Sequence, residues 1–173
     1  MPIAQFDNFL DDALYKESIN TARHLLTIGS NMFCTNKWWN ENIVKDSAPV
    51  FIHNIEQTSD LYKRLADVIQ NKTKFYLGKH NIMFYYWNRY SYIPWHSDEI
   101  YDGAVTIYLN EFWEPDFGGY FLYHKDKKDI RAIIPTPNAA VLQYGGVRHC
   151  TTPVNFTGDI RITIQAFLYK DKK

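Results

Sequence analysis

From residue 81 to residue 169 the chain breaks into short segments rich in β-branched and aromatic residues. Each is bounded by Gly, Pro, Asn or Asp, and this alternation constrains the fold more than any other feature. The pattern predicts strands over 81–88, 104–109, 119–123, 130–134, 139–143, 151–154 and 160–169. Residues 1–80 read differently. A short strand over 6–10 leads into a helix over 11–27, where Leu14, Ile19, Ala22, Leu25 and Leu26 recur at helical spacing and Gly29 supplies a stop. A second helix runs from Ser59, its N-cap, or Asp60 to about residue 70, with Leu61, Leu65, Val68 and Ile69 as one apolar stripe. Between them residues 31–49 are irregular and carry Trp38 and Trp39, expected to pack onto the core. The expectation is one α+β, mainly β domain over 1–173, with a helical support region (1–80) before a β-sandwich (81–173).

Composition narrows the function classes. Aromatics make up 17% of the 173 residues, which suits sheets and a lined pocket more than a helical bundle. Nineteen basic residues balance nineteen acidic ones, so the basic excess expected of a nucleic-acid binder is missing. The tract 125–129, Lys-Asp-Lys-Lys-Asp, reads as a solvated hairpin turn. The two cysteines, Cys34 and Cys150, lack zinc-type spacing and fit a reduced compartment, with one disulfide left open. The N-terminus has no basic or apolar signal region, and no apolar run approaches the roughly 20 residues of a membrane span. A cytoplasmic protein that uses neither membrane nor nucleic acid is expected.

Residues 92–98, Tyr-Ile-Pro-Trp-His-Ser-Asp, hold the chemistry. His96 and Asp98 are two apart, and in extended backbone such residues share a side, so both can close on one metal ion. His149, 53 residues on, is the best third ligand, a separation that the strands of a double-sheet jelly roll can fill with the two histidines on opposite sheets. Two histidines and one carboxylate make the facial triad of non-haem Fe(II) oxygenases. His24, in the first helix, reads as a surface or core-edge residue, and His53, His80 and His124 as structural or exposed. Arg161 opens the last strand inside the apolar run 160–164, and Thr163 shares its face. A guanidinium there is a carboxylate site, because a buried Arg needs an anion and its fork accepts a carboxylate through two bonds.

In order along 86–169 stand Tyr-Ile-Pro-Trp-His-Ser-Asp (92–98), Thr-Ile-Tyr-Leu-Asn (106–110) and Phe-Gly-Gly-Tyr-Phe-Leu-Tyr (117–123). Ile-Ile-Pro-Thr-Pro-Asn-Ala-Ala-Val-Leu (133–142), His-Cys-Thr-Thr-Pro-Val (149–154) and Arg-Ile-Thr-Ile-Gln (161–165) follow. This series resembles the catalytic domain of the Fe(II)/2-oxoglutarate-dependent dioxygenases, and within them the prolyl 4-hydroxylase branch that uses Arg. The resemblance implies a double-stranded β-helix core with the N-terminal helices packed on one sheet. It implies Fe(II) on His96, Asp98 and His149, and the distal carboxylate of 2-oxoglutarate on Arg161, with Thr163 or Tyr108 adding a hydroxyl and Tyr86 a further candidate. It also implies O₂ as co-substrate, ascorbate as a candidate reductant, and oxidative decarboxylation to succinate and CO₂ coupled to hydroxylation. Tyr92, Trp95, Tyr101, Trp113 and Tyr120 are candidates for lining the mouth, with a peptidyl proline as the leading substrate.

Four other readings compete. A free amino acid, another side chain or a small metabolite would use the same core. A nucleobase demethylase would carry a second arginine where this chain has Phe167. A cupin-type metalloprotein would not explain Arg161 with Thr163, and an interaction sandwich would make the His/Asp/His set coincidence.

Overall fold

A computed structural model describes residues 3–29, 33–34, 48–156 and 158–171; of residues 33–34 and 78–81 only the backbone is described. Trp38, Trp39 and the side chains of Cys34 and His80 therefore lie outside the described residues. The chain runs β1 (Ile3–Phe6), α1 (Asp12–Ile28), β2 (Phe33–Cys34), β3 (Val50–Asn54), α2 (Asp60–Thr73) and β4 (Tyr76–Trp87). It continues with β5 (Ile93–His96), β6 (Gly103–Tyr108), β7 (Phe121–His124), β8 (Ile130–Ile133), β9 (Ala140–Tyr144), β10 (His149–Thr151) and β11 (Arg161–Tyr169).

Two antiparallel sheets form. The large sheet has the order β1-β9-β6-β11-β4-β3-β2 and the small one β5-β10-β7-β8. The eight consecutive strands β4–β11 are divided between the two sheets as in a jelly roll, a double-stranded β-helix. Strand β11 explains how one element serves core and site together. Its even positions, Ile162, Ile164, Ala166 and Leu168, face the helices, where they meet Leu14 and Ile19 of α1 and Leu61, Leu65 and Ile69 of α2. Its odd positions, Arg161, Thr163, Gln165 and Phe167, face between the sheets. Two helix ends are as expected, Ser59 accepting from the Tyr62 amide and Gly29 closing α1 at φ 63°; Asp11, expected inside the first helix, caps it instead by accepting from the Leu14 amide.

Several boundaries move, each for a local reason. The first strand lies at Ile3–Phe6 rather than 6–10, because Phe9 and Leu10 turn into the core while Asn138 holds the Leu10 backbone from both sides. The support region is not only helical, since β1 and β3 extend the large sheet at β9 and β4. Strand β5 lies outside the expected set, since Pro94 argues against a strand; it pairs on one side only, so a missing N–H is tolerated. The expected strand at 119–123 begins at Phe121, because Gly118 and Gly119 adopt φ 68° and 66°. The expected strand at 151–154 lies instead at His149–Thr151, and Val154 makes only a single bridge to Gly118. The 125–129 tract is the β7–β8 hairpin turn, with Asp126 accepting from the Lys128 and Asp129 amides. Among the described residues no helix is long and apolar enough to cross a membrane.

Candidate metal and co-substrate site

The two histidines do not come from opposite sheets. They sit on neighbouring strands of the small sheet, β5 and β10, directly opposite one another in register. Directly opposed side chains project to the same face, and the rings lie 4.1 Å apart, centre to centre. Asp98 follows the end of β5, and its two oxygens lie 3.7 Å from His96 Nε2 and 3.6 Å from His149 Nε2. One donor atom from each of the three residues falls within 4.8 Å of the others, a set that could hold a metal ion.

The protonation of the set is legible from its partners. His96 Nδ1 lies 2.8 Å from the Pro94 carbonyl and His149 Nδ1 2.8 Å from the Val147 carbonyl. A carbonyl only accepts, so both Nδ1 atoms donate, and Nε2 of each ring is the nitrogen turned to Asp98. Burial, and then the neighbouring His96, pull the pKa of His149 down to about 4, so this ring stays neutral at ordinary pH. Asp98 Oδ2 accepts from Gln143 Nε2 at 2.7 Å. These are the tautomers and outer contacts that metal-bound imidazole and carboxylate need.

The anion end stands on the large sheet. Arg161 is 1% exposed, with its guanidinium 4.5 Å from the centre of the Trp87 ring and 5.4 Å from that of Tyr108. Nη1 donates to the Gly119 carbonyl, while Nε has no partner. Among the described residues no carboxylate lies within ion-pair distance, and burial pulls the guanidinium pKa down to about 10. A Cβ on Gly119 would meet the Arg161 Cδ and Nη1 at 3.1 Å, so this glycine makes room for the side chain. Tyr108, whose hydroxyl is also buried without a partner, pairs in register with Thr163. The Thr163 oxygen accepts from Trp87 Nε1 at 3.1 Å, which leaves its hydrogen to give.

Both ends open into one narrow cavity of about 60 Å³, lined from both sheets. The large sheet lines it with Tyr85, Thr106, Gln143, Gln165 and Phe167 as well as Arg161 and Trp87; the small sheet adds Ile93, Phe121 and Thr151 beside His96 and His149. Two imidazoles turned to one carboxylate, with a buried cation that has no ion-pair partner among the described residues, fit a divalent metal with an anionic partner.

A family model, the 2OG-Fe(II) oxygenase superfamily, matches residues 81–169, which is 89 of the 173 residues. The chain belongs to that superfamily. Fe(II) and 2-oxoglutarate are the metal and co-substrate of these oxygenases, as the ordered motifs implied. Among curated proteins none matches in sequence. Solved structures agree in fold. A Pseudomonas putida prolyl-4-hydroxylase superposes with a TM-score of 0.78 at 16% identity, covering 99% of this chain and 94% of that one. A Trichoplax adhaerens prolyl hydroxylase, solved with a hypoxia inducible factor peptide fragment, gives 0.80 at 15%, covering 98% and 84%. The epimerase SnoN from nogalamycin biosynthesis gives 0.71 at 13%, covering 96% and 77%.

Not every expected residue reaches the oxygenase's cavity. Tyr86 faces the other way, because it alternates with Tyr85 and Trp87 on β4; its hydroxyl donates to the Ala22 carbonyl of α1. None of Tyr92, Trp95, Tyr101, Trp113 and Tyr120 is among the cavity-lining residues. Trp113 is buried with its Nε1 on the Gly118 carbonyl, and the Tyr120 hydroxyl donates to Pro115. Trp95 packs edge-on against His124, while Tyr92 is half-buried in the turn before β5. Tyr101 is nearest, stacked on the lining residue Phe167 at 4.2 Å. The sequence reading missed Tyr85, Thr106, Gln143 and Gln165. For Gln143 and Gln165 a signal existed: each is a polar residue on the inward alternation of an otherwise apolar strand, as Arg161 and Thr163 are.

Proposed function

We propose that this oxygenase is a hydroxylase acting on a peptidyl proline, with His96, Asp98 and His149 as the Fe(II) ligands and Arg161 as the anchor of the distal carboxylate of 2-oxoglutarate. One observation carries the co-substrate assignment: a fully buried guanidinium, with Nε unpaired and no ion-pair partner among the described residues, faces the same cavity as the ligand set. An uncompensated buried charge costs several kcal/mol, roughly 3–5 where a partner is removed, and an arriving carboxylate offsets that cost. The Thr163 hydroxyl, and that of Tyr108, whose ring centre lies 5.4 Å from the Arg161 guanidinium, supply donors beside it. The Nε2 atoms of His96 and His149 and the Asp98 carboxylate would hold the metal with positions left open for the co-substrates. When bound, Fe(II) and 2-oxoglutarate supply the oxidation, decarboxylation to succinate and CO₂ coupled to hydroxylation of the substrate. The walls Trp87, Phe121 and Phe167 keep water from the reacting centre.

The proline assignment is supported by the prolyl hydroxylases among the structural neighbours, one of them solved with a peptide. It is also supported by the Tyr101–Phe167 stack beside the cavity, since aromatic faces suit an apolar ring. The test is incubation of the Fe(II)-loaded enzyme with 2-oxoglutarate, O₂ and ascorbate against proline-bearing peptides, free amino acids and small metabolites. Succinate and the mass gain of one oxygen are read together. A peptide gaining oxygen at proline supports the proposal. Turnover of only a free amino acid or small metabolite overturns the substrate and keeps the chemistry.

A further inference from the structure

All three proposed ligands come from the small sheet or the turn just after one of its strands, whereas the proposed co-substrate anchor stands on the large sheet. Catalysis of any kind in this cavity needs the two ends held at one separation and the carboxylate held in one orientation. Gln143 is placed to do both. It belongs to β9 of the large sheet, is 5% exposed, and donates through Nε2 to Asp98 Oδ2 at 2.7 Å. Its backbone is fixed on both sides, paired with Ala104 of β6 and with Ile3 of β1. Asp98 has no strand partner of its own and lies beyond the last residue of β5.

We propose that Gln143 is a positioning residue for the metal centre. It engages Oδ2 of Asp98, the oxygen 3.6 Å from His149 Nε2, and so favours Oδ1, 3.7 Å from His96 Nε2, as the carboxylate donor. It also ties the ligand-bearing sheet to the large sheet. An amide suits this position because it satisfies a carboxylate without adding charge beside a divalent site. A half-buried carboxylate without this contact would be free to rotate or to chelate. The inference rests on the proposed assignment of His96, Asp98 and His149 as ligands.

Gln165 provides an internal control. It lines the same cavity and is also an amide, but its Oε1 accepts from Thr106 at 2.6 Å and it does not touch Asp98. The experiment measures Mn(II) binding by electron paramagnetic resonance, without turnover, in wild type, Gln143→Met, Gln143→Ala and Gln165→Met. Methionine keeps length and flexibility while removing the donor, and alanine serves if methionine does not fold. Thermal melts of the metal-free proteins check folding. The expected result is a loss of affinity of ~10–100-fold for the Gln143 variants, the usual cost of an outer contact to a ligand. A changed Mn(II) line shape and wild-type affinity for Gln165→Met are expected with it. Under turnover, kcat should fall more than the KM for 2-oxoglutarate rises. Wild-type affinity and line shape in folded Gln143 variants overturn the role. So does equal weakening by Gln165→Met, which would mark a general disturbance of the cavity. If wild type itself binds no Mn(II), the ligand assignment falls and this inference with it.

Discussion

The two sheets of this oxygenase line one cavity but are built to different standards. The large sheet is covered on its outer face by α1 and α2, and β4 and β11 at its middle share a nearly continuous register. Of its residues, Arg161, Tyr108, Thr163 and Tyr86 are at most 2% exposed. The small sheet has four short strands, and its β8 is exposed at Ile130, Arg131 and Ala132. A buried cation without a partner can be held only where the surroundings over-determine it. The ligand set asks less of its scaffold, because a metal ion itself ties three side chains together. The contrast accounts for the proposed anion end on the deep sheet and the proposed metal end on the thin one.

The largest expected effect breaks the anion end alone. Arg161→Met should weaken 2-oxoglutarate binding by about 2–5 kcal/mol. The metal-free protein should remain as stable or gain about 1–4 kcal/mol, because methionine needs no anion. Calorimetry with and without 2-oxoglutarate reads both; a marked loss of metal-free stability would mean that Arg161 already has its partner. On the outer face of the same sheet, Leu65→Ala should cost about 2–5 kcal/mol in denaturant unfolding, since Leu65 is fully buried between α2 and the sheet. Its effect on co-substrate affinity at temperatures where it is folded should be slight.

Much of this division is legible in the chain itself. The ordered His96, Asp98, His149 and Arg161 motifs and the helix ends at Ser59 and Gly29 are local signals, carried by residue type and spacing over a few positions. What was not legible depended on pairing between distant segments. The placement of both histidines on one sheet follows from the β5–β10 register, which no local window contains. The same holds for Gln143, which meets Asp98 across 45 residues. The aromatic candidates lie off the cavity lining because each finds another partner, Trp95 on His124, Tyr101 on Phe167, Trp113 on the Gly118 carbonyl and Tyr120 on that of Pro115. Tyr86 failed by one step of strand alternation, which Tyr85 and Trp87 took instead.

Smaller perturbations sharpen the contrast. Gly119→Ala forces a side chain into a φ of 66° and against Arg161. It should cost about 1–2 kcal/mol of stability and raise the KM for 2-oxoglutarate with little change in Mn(II) affinity. Hydrogen exchange followed by mass spectrometry should find the amides of β4 and β11 the slowest and those of β8 among the fastest. Uniform protection across both sheets would remove the distinction between them. The smallest effects pair two tyrosines on opposite faces of the large sheet. Tyr86→Phe loses the bond to Ala22 and should cost about 0.5–1.5 kcal/mol of stability with unchanged co-substrate affinity. Tyr108→Phe removes a hydroxyl without a partner in the free protein, so stability should hold while 2-oxoglutarate binds more weakly.

The most direct test of opposed metal and anion ends is an anaerobic titration of the Fe(II)-loaded protein with 2-oxoglutarate, following the visible metal-to-ligand charge-transfer band in wild type and Arg161→Met. The band should saturate at low co-substrate in wild type and need far higher concentrations in Arg161→Met, with Fe(II) affinity equal in the two. Iron binding with no band at any concentration, or a band indifferent to Arg161, would contradict the two-ended site.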